Sequence, residues 1–197
     1  MNLLRKRSVA IILSVLIVFC STLISIGEKL EAKCGDVSAI FFDGVRISGV
    51  EYPAMAPAVK ELCNVADDVI LIAENYGIDT AAMAENLEYL ELAVQYSSDE
   101  VEYIGSCYSD FLNELKAVLN LLDSAGLSQR HTTLMAEYNT VISDCMETVE
   151  QGAAGYNEAV RSFLRSYDKF PSAMWAEMTG TWFPGCLLYT SDAADDK

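Results

Sequence analysis

Apolar residues recur every three or four positions along most of the stretch from residue 53 to residue 171, which is the spacing of amphipathic helices. Four successive runs follow this spacing and are separated by short polar or glycine-containing breaks. The positions that share a face are Val59, Leu62, Ala66, Val69, Ala73 and Tyr76 in the first run; Met83, Leu87, Leu90 and Val94 in the second; Val101, Ile104, Tyr108, Phe111, Leu115, Val118 and Leu122 in the third; and Leu134, Tyr138, Val141, Cys145, Thr148, Gly152, Tyr156, Ala159 and Phe163 in the fourth.

Residues at the ends of these runs predict where the helices begin and end. Pro57 suits a first helical turn, and Gly77 suits a helix C-terminus. Thr80 and Ser128 are placed to cap helices, and Ser97–Glu100 has the S-x-x-E form of a capping box. Long apolar seams joined by short connections are typical of an antiparallel up-and-down bundle. We therefore predict an all-α fold with three to four long helices over residues 53–171.

The fourth helix is the longest and contains two glycines, Gly152 and Gly155. Each lowers helix stability by about 1 kcal/mol relative to alanine. They predict either a kink or a point where another backbone approaches closely. Pro171 excludes the α conformation at Phe170, so we expect the helix to end there.

The N-terminal part divides into three segments. Residues 1–8 are basic, residues 9–27 carry no charge, and residues 28–52 are expected to form a linker with a small turn or extended piece around its glycines. Nineteen uncharged residues in a helix span about 28 Å, close to the hydrocarbon thickness of a bilayer. The basic residues before the span predict a cytoplasmic N-terminus and a single-pass protein with its bundle outside the cytoplasm. Cleavage of this segment and secretion of the bundle is the alternative.

The C-terminal part also divides. Residues 172–185 predict a short apolar helix, which either folds back onto the bundle or forms an interaction patch; the large side chains are Met174, Trp175, Met178, Trp182 and Phe183. Residues 186–197 resemble a translated reading frame of a sequencing-library adapter. We exclude them from the fold and expect a different natural C-terminus beyond Gly185.

The chain is strongly acidic, with 29 Asp and Glu against 13 Lys and Arg. This charge argues against nucleic acid as a partner, because nucleic-acid binding rewards basic residues. Two interpretations remain open for the acidic surface. It either keeps an exported domain soluble or docks a basic partner or divalent cations.

One string on the fourth helix has a family resemblance. Tyr156-Asn157-Glu158-Ala159-Val160-Arg161, followed by Phe170-Pro171, resembles the signature of the LemA family. The resemblance implies an N-terminally anchored, extracytoplasmic helical bundle of the type found in Gram-positive bacteria. It implies no catalytic residues, because the family has none that are agreed.

The spacing within the signature favours a structural role. Tyr156, Val160 and Phe163 share one helix face and can anchor the helix to its neighbours. Asn157 and Arg161 are also four residues apart, which predicts a pair that hydrogen-bonds along the surface.

Candidate chemistry outside the signature is sparse. The single histidine, His131, excludes a multi-histidine metal site, and we predict it to be a surface residue. We expect free thiols, and a Cys63–Cys107 or Cys107–Cys145 disulfide is the alternative; the cysteines between the span and residue 186 are Cys34, Cys63, Cys107 and Cys145. No cofactor, metal or catalytic site is predicted.

The sequence thus favours a non-enzymatic, membrane-anchored bundle with an interaction or envelope-organising role and a protein partner. The alternative is an extracellular sensor that binds a small ligand. That role needs a sizeable pocket between helices with convergent polar groups, for which Tyr103, Tyr108 and Tyr138 are candidates.

Overall fold

The computed structural model describes the backbone of residues 2–97 and 100–167, and the side chains of residues 9–97 and 100–165. Helices dominate this part of the chain, in agreement with the predicted all-α bundle. The elements are α1 (Asn2–Asp43), β1 (Val45–Ile47), β2 (Val50–Tyr52), α2 (Met55–Asn75), α3 (Ala81–Tyr96), α4 (Val101–Ser124) and α5 (Gln129–Tyr167).

The chain forms two compact units. Unit 1 contains, among the described residues, 2–36 and 162–167, and unit 2 contains residues 37–161. Unit 2 is the bundle of α2, α3, α4 and most of α5, with α3 packed closely against α4 and α2 against α3.

The segment 28–52 differs from the predicted linker. Helix α1 continues without a break to Asp43, because an apolar stripe at helical spacing extends past the uncharged run. The buried members of that stripe are Leu30, Val37, Ile40 and Phe41. The extended piece is therefore confined to the residues after Gly44.

This extended piece is a short antiparallel hairpin in which Val45 pairs with Tyr52 and Ile47 with Val50. Ser48 and Gly49 form its two-residue loop, and both have positive φ angles. Positive φ at both loop positions is the signature of a type I′ turn, whose twist matches that of the paired strands.

The helix ends of α2 follow the predicted pattern. Pro57 lies in its first turn. At its other end Gly77 has a φ of 70°, and its N–H donates to Glu74 O at 3.0 Å. The Ile78 N–H donates to Ala73 O at 3.1 Å, which completes a Schellman motif.

The predicted caps of α3 and α4 are only partly correct. Thr80 occupies the N-cap position of α3, but the side chain that accepts a hydrogen bond is that of Asp79, from the Ala81 N–H at 3.1 Å. Ser97 is the C-cap of α3, and Glu100 precedes α4 without a side-chain cap. The predicted capping box placed the helix start three residues too early; its two central residues lie outside the described part.

Ser128 caps α5 as predicted. Its Oγ accepts a hydrogen bond from the His131 N–H at 3.3 Å, and its carbonyl accepts one from the Thr132 N–H at 2.9 Å. Both bonds satisfy N–H groups that have no partner within the helix.

The core of unit 2 contains the predicted seam of α4, and all seven of its members are buried. On α5 the seam is rotated by one position in the first half. Met135, Ile142 and Val149 are buried where Leu134, Val141 and Thr148 were expected, and the latter three are half-buried. Cys145 and Tyr156 are buried as predicted.

The two glycines of α5 mark a close approach rather than a break, because α5 is continuous from Gln129 to Tyr167. A β-carbon on Gly152 would lie 2.7 Å from Pro53 O and would overlap the Met55 side chain. A β-carbon on Gly155 would lie 2.6 Å from Tyr52 Cβ. The chain leaving the hairpin therefore packs directly on the α5 backbone.

Candidate functional site

The apolar run in unit 1 is exposed over most of its length. From Val9 to Ile24 every large apolar side chain except the half-buried Leu23 is exposed, and the most apolar stretch of the helix is not buried against protein. The helix is long and apolar enough to cross a bilayer.

Three of its hydroxyl groups, those of Ser14, Ser21 and Thr22, are bonded within the helix. Ser14 Oγ donates to Ala10 O at 2.9 Å, and Thr22 Oγ1 donates to Val18 O at 2.7 Å. Bonds of this kind satisfy polar groups where no water is present, so this surface suits a hydrocarbon environment.

The signature residues of α5 are mostly inside unit 2. Tyr156 and Val160 are fully buried, which agrees with the predicted packing role, and Arg161 is exposed. Asn157 is only 4% exposed, so it does not lie on the surface as predicted. The apolar stripe of α5 is wide enough to include the position after Tyr156. Phe170 and Pro171 lie outside the described residues.

The predicted C-terminal patch also lies outside the described residues. Its members are Met174, Trp175, Met178, Trp182 and Phe183.

A different exposed apolar surface lies on unit 2. It consists of Tyr89, Leu92 and Tyr96 on α3 and Tyr103 on α4, which we call the tyrosine strip. The exposed fractions of these side chains are 49%, 45%, 73% and 48%, in that order. The i, i+3, i+7 spacing on α3 signals this face, which sequence reasoning missed because it followed only the buried stripe.

Carboxylates border the tyrosine strip. The Tyr89 hydroxyl donates to Glu85 Oε1 at 3.1 Å, and this bond, together with the negative charges of Glu85 and Glu88, raises the pKa of Tyr89. A hydrogen-bonding contact with the Cys107 thiol raises the pKa of Tyr103, and the proximity of Tyr89 and Glu100 raises it further. The two tyrosines are thus neighbours in an acidic environment.

An open groove of about 660 Å³ lies between the end of α1, the first half of α2 and the end of α3. Its volume falls in the range of small-molecule sites. Its inner wall is apolar and its edge polar; the lining residues include Phe42, Val59, Cys63 and Val94 inside, and Lys60, Asn64, Glu91 and Gln95 at the edge.

The three tyrosines proposed for a ligand pocket do not line this groove. Tyr108 instead lines a separate apolar cavity of about 20 Å³, which is about the size of one water molecule. Tyr138 donates to Asp68 Oδ2 at 2.9 Å on the surface. Tyr103 belongs to the tyrosine strip.

His131 is half-buried, not a simple surface residue, and is bonded to Tyr76. The distance between Tyr76 Oη and His131 Nδ1 is 2.9 Å, and the Ser128 N–H donates to the same hydroxyl at 2.9 Å. The bonds from Ser128 lower the pKa of Tyr76. This cluster ties the end of α2 to the start of α5, and only the tertiary structure reveals it.

The cysteines between residues 9 and 165 are all free thiols, as expected, so neither candidate disulfide forms. Burial, together with the negative charges of Glu91 and Asp67, raises the pKa of Cys63 to about 12. Burial and the nearby Glu61 raise the pKa of Cys145. Raised values make these thiols poor nucleophiles.

Metal-ligating side chains do not gather in the described part of the chain: it contains no group of three or more His, Cys, Asp or Glu residues arranged to hold a metal ion. Two features of unit 2 can contact another molecule: the tyrosine strip and the groove.

Comparisons with known proteins identified no relative of this chain. No protein-family model, no curated protein and no solved structure matches this chain.

Proposed function

We propose that this chain is a membrane-anchored helical protein of the LemA type, without enzymatic activity, that binds a protein partner outside the cytoplasm in an interaction or envelope-organising role. The observation that carries the proposal is the exposed, uncharged face of α1 from Val9 to Ile24, whose hydroxyls bond within the helix. Exposure of this face to water is unfavourable in free energy, whereas the hydrocarbon of a bilayer would solvate it.

The orientation follows from the basic residues before the span, Arg5, Lys6 and Arg7. Positive residues near a span remain in the cytoplasm, which places the bundle on the other side. The resemblance at Tyr156–Arg161 supports the same arrangement.

Site-specific labelling in intact cells tests this topology. Ala136 is exposed on α5, so the variant Ala136→Cys offers a surface thiol on unit 2. We expect a membrane-impermeant maleimide to label this variant without lysis, beyond the labelling of the unsubstituted chain. The matched variant Ser8→Cys should react only after lysis. Labelling of Ala136→Cys only after lysis would place the bundle in the cytoplasm.

Mass spectrometry of the chain extracted from membranes tests whether the anchor is kept. We expect an intact N-terminal segment. A chain that begins after residue 27 would instead support cleavage and secretion.

A second candidate function, the binding of a small ligand, is favoured by the groove. Its apolar inner wall and polar edge suit a molecule with an apolar body and a polar group near Lys60 or Glu91. The substitution Val94→Trp would fill the groove from α3. We expect it to abolish binding of an apolar fluorescent probe, whereas Leu121→Trp on the exposed side of α4 should not. Equal probe binding by both variants would reject the groove as the site.

A further inference from the structure

The tyrosine strip is not required to complete the core of unit 2. Helix α3 already buries a separate face, which consists of Met83, Leu87, Leu90 and Ala93. Tyr89, Leu92 and Tyr96 lie on a different side of the helix, where a soluble surface helix normally has polar residues. An exposed cluster of large apolar side chains is typical of a binding surface.

The residue types of the strip also favour protein binding. Tyrosine combines a rigid apolar ring with a polar hydroxyl and is enriched among residues that dominate binding energy. Helices α3 and α4 pack closely against each other, and Tyr89 is one of the groups that raise the pKa of Tyr103, so the strip continues from α3 onto α4. The exposed leucine of α4, Leu121, lies 18 positions after Tyr103. At ~1.5 Å per residue it is about 27 Å away and separate from the strip.

The charges around the strip select the partner. Glu85 and Glu88 lie beside it on α3, and Glu100 and Glu102 lie at the start of α4. The sequence has no basic residue between Lys60 and Lys116. This field attracts cations and repels anionic lipid headgroups, and tyrosine rings bind Lys and Arg through their π faces.

We propose that the tyrosine strip binds a cationic, amphipathic peptide segment of another protein. Apolar side chains of the segment contact Leu92 and the tyrosine rings, while its Lys or Arg side chains pair with Glu85 and Glu88. This inference rests on the proposed interaction role and specifies its partner.

The test uses the full chain in nanodiscs of zwitterionic lipid and three fluorescent synthetic helices of equal length. The first presents Leu and Lys, the second has Glu in place of every Lys, and the third has Ser in place of every Leu. Anisotropy above that of empty nanodiscs reports binding. We expect the Leu/Lys peptide to bind at least tenfold more tightly than either of the others, and its binding to weaken at high salt.

Variants locate the binding surface. We expect Leu92→Ser and Tyr96→Ser each to weaken binding of the Leu/Lys peptide about tenfold or more, as substitutions of central contacts do. The control Leu121→Ser removes a leucine of similar exposure and should change binding less than twofold. The double variant Glu85→Gln/Glu88→Gln should weaken binding and reduce its salt dependence. Circular dichroism and the thermal midpoint verify that each variant is folded.

Equal binding of the Leu/Lys and Leu/Glu peptides would overturn the proposal. Equal loss in Leu92→Ser and Leu121→Ser would overturn it as well. The maleimide experiment separates this failure from that of the proposed function. If the bundle is labelled in intact cells but does not bind the peptide, only the tyrosine-strip proposal is rejected. If the bundle binds the peptide but is protected from label in intact cells, only the proposed location is rejected.

Discussion

At Gly152 and Gly155 the missing β-carbon is what allows the hairpin exit to lie against α5. The nearest atoms at Gly152 include the backbone oxygen of Pro53, which cannot rotate away as a side-chain end can. Helix propensity disfavours both glycines, so their presence inside a continuous helix has a packing reason.

The variant Gly152→Ala should destabilise the chain by about 1–3 kcal/mol, because the added methyl group overlaps Met55 and the Pro53 carbonyl. Thermal unfolding followed by circular dichroism measures this effect. The matched variant Gly35→Ala adds a methyl group where no atom lies within 4 Å, so it should leave stability equal or slightly higher. A harmless Gly152→Ala would contradict the close approach.

The thiol of Cys63 shows how burial suppresses chemistry at a single residue. Its pKa rises from 9.0 to about 12 because the interior and the nearby carboxylates disfavour a thiolate. The thiolate is the reactive form, so a higher pKa means less reactive thiol at any pH below it.

Alkylation rates test this shift. At pH 8 a cysteine with a pKa of about 12 has roughly a thousandfold less thiolate than one with a pKa of 9.0. We expect iodoacetamide to modify Cys63 far more slowly than the exposed thiol of Ala136→Cys, with the Cys63 rate increasing as the pH rises towards 12. Peptide mapping of the folded chain gives both rates, and similar rates at pH 8 would refute the expectation.

At the scale of the helices, α3 and α4 use their apolar residues differently. The seam of α4 is fully buried, from Val101 to Leu122. Helix α3 divides its apolar residues between a buried face and the exposed tyrosine strip. The two helices therefore have different roles, since α4 stabilises the bundle and α3 also presents a surface.

Truncation within the α4 seam should be costly. Phe111 is fully buried, and Phe111→Ala should lower the free energy of unfolding by about 3–5 kcal/mol through lost burial and the remaining cavity. Two positions along, the exposed Asn113 offers a control, and Asn113→Ala should change stability by less than about 0.5 kcal/mol. Denaturant titration measures both. Equal effects would mean that α4 does not pack as described.

The Tyr76 hydroxyl contributes two hydrogen bonds to the contact between the end of α2 and the start of α5. The variant Tyr76→Phe removes the acceptor of the Ser128 N–H and the bond to His131, which should cost about 1 kcal/mol. The variant Tyr89→Phe loses only an exposed bond to Glu85 and serves as the control, with a smaller effect expected. Thermal midpoints compare them, and a larger loss in Tyr89→Phe would be contrary to this account.

For the whole molecule, the proposed membrane attachment depends on one uncharged stretch. An arginine at the centre of a spanning helix opposes insertion by about 2.5–3.5 kcal/mol. The double variant Val15→Arg/Leu16→Arg should therefore lose most of its carbonate-resistant membrane association. The control Leu71→Arg changes an exposed leucine of α2 and should retain carbonate-resistant membrane association. Retention of the double variant in carbonate-washed membranes would show that another part of the chain holds it there.

The predictable part of this protein is the part that depends on neighbours along the chain. Periodicity identified α2, α3, α4 and α5, and the uncharged run identified the apolar half of α1. The end of α2 at Gly77 was also predictable, because a C-terminal glycine acts within one turn. By contrast, residues 28–43 were predicted to be a linker although they are helical. Charged residues separate their short apolar stripe from the uncharged run.

The sequence by itself determined the helical class, the membrane-compatible segment and the acidic charge, since each is a property of composition or of spacing within one element. Only the tertiary structure decided which side of a wide apolar stripe is covered. Asn157 is buried and Tyr96 is exposed because the rest of the fold covers the first position and not the second. The groove and the tyrosine strip follow from that same packing, which residues distant in sequence create together.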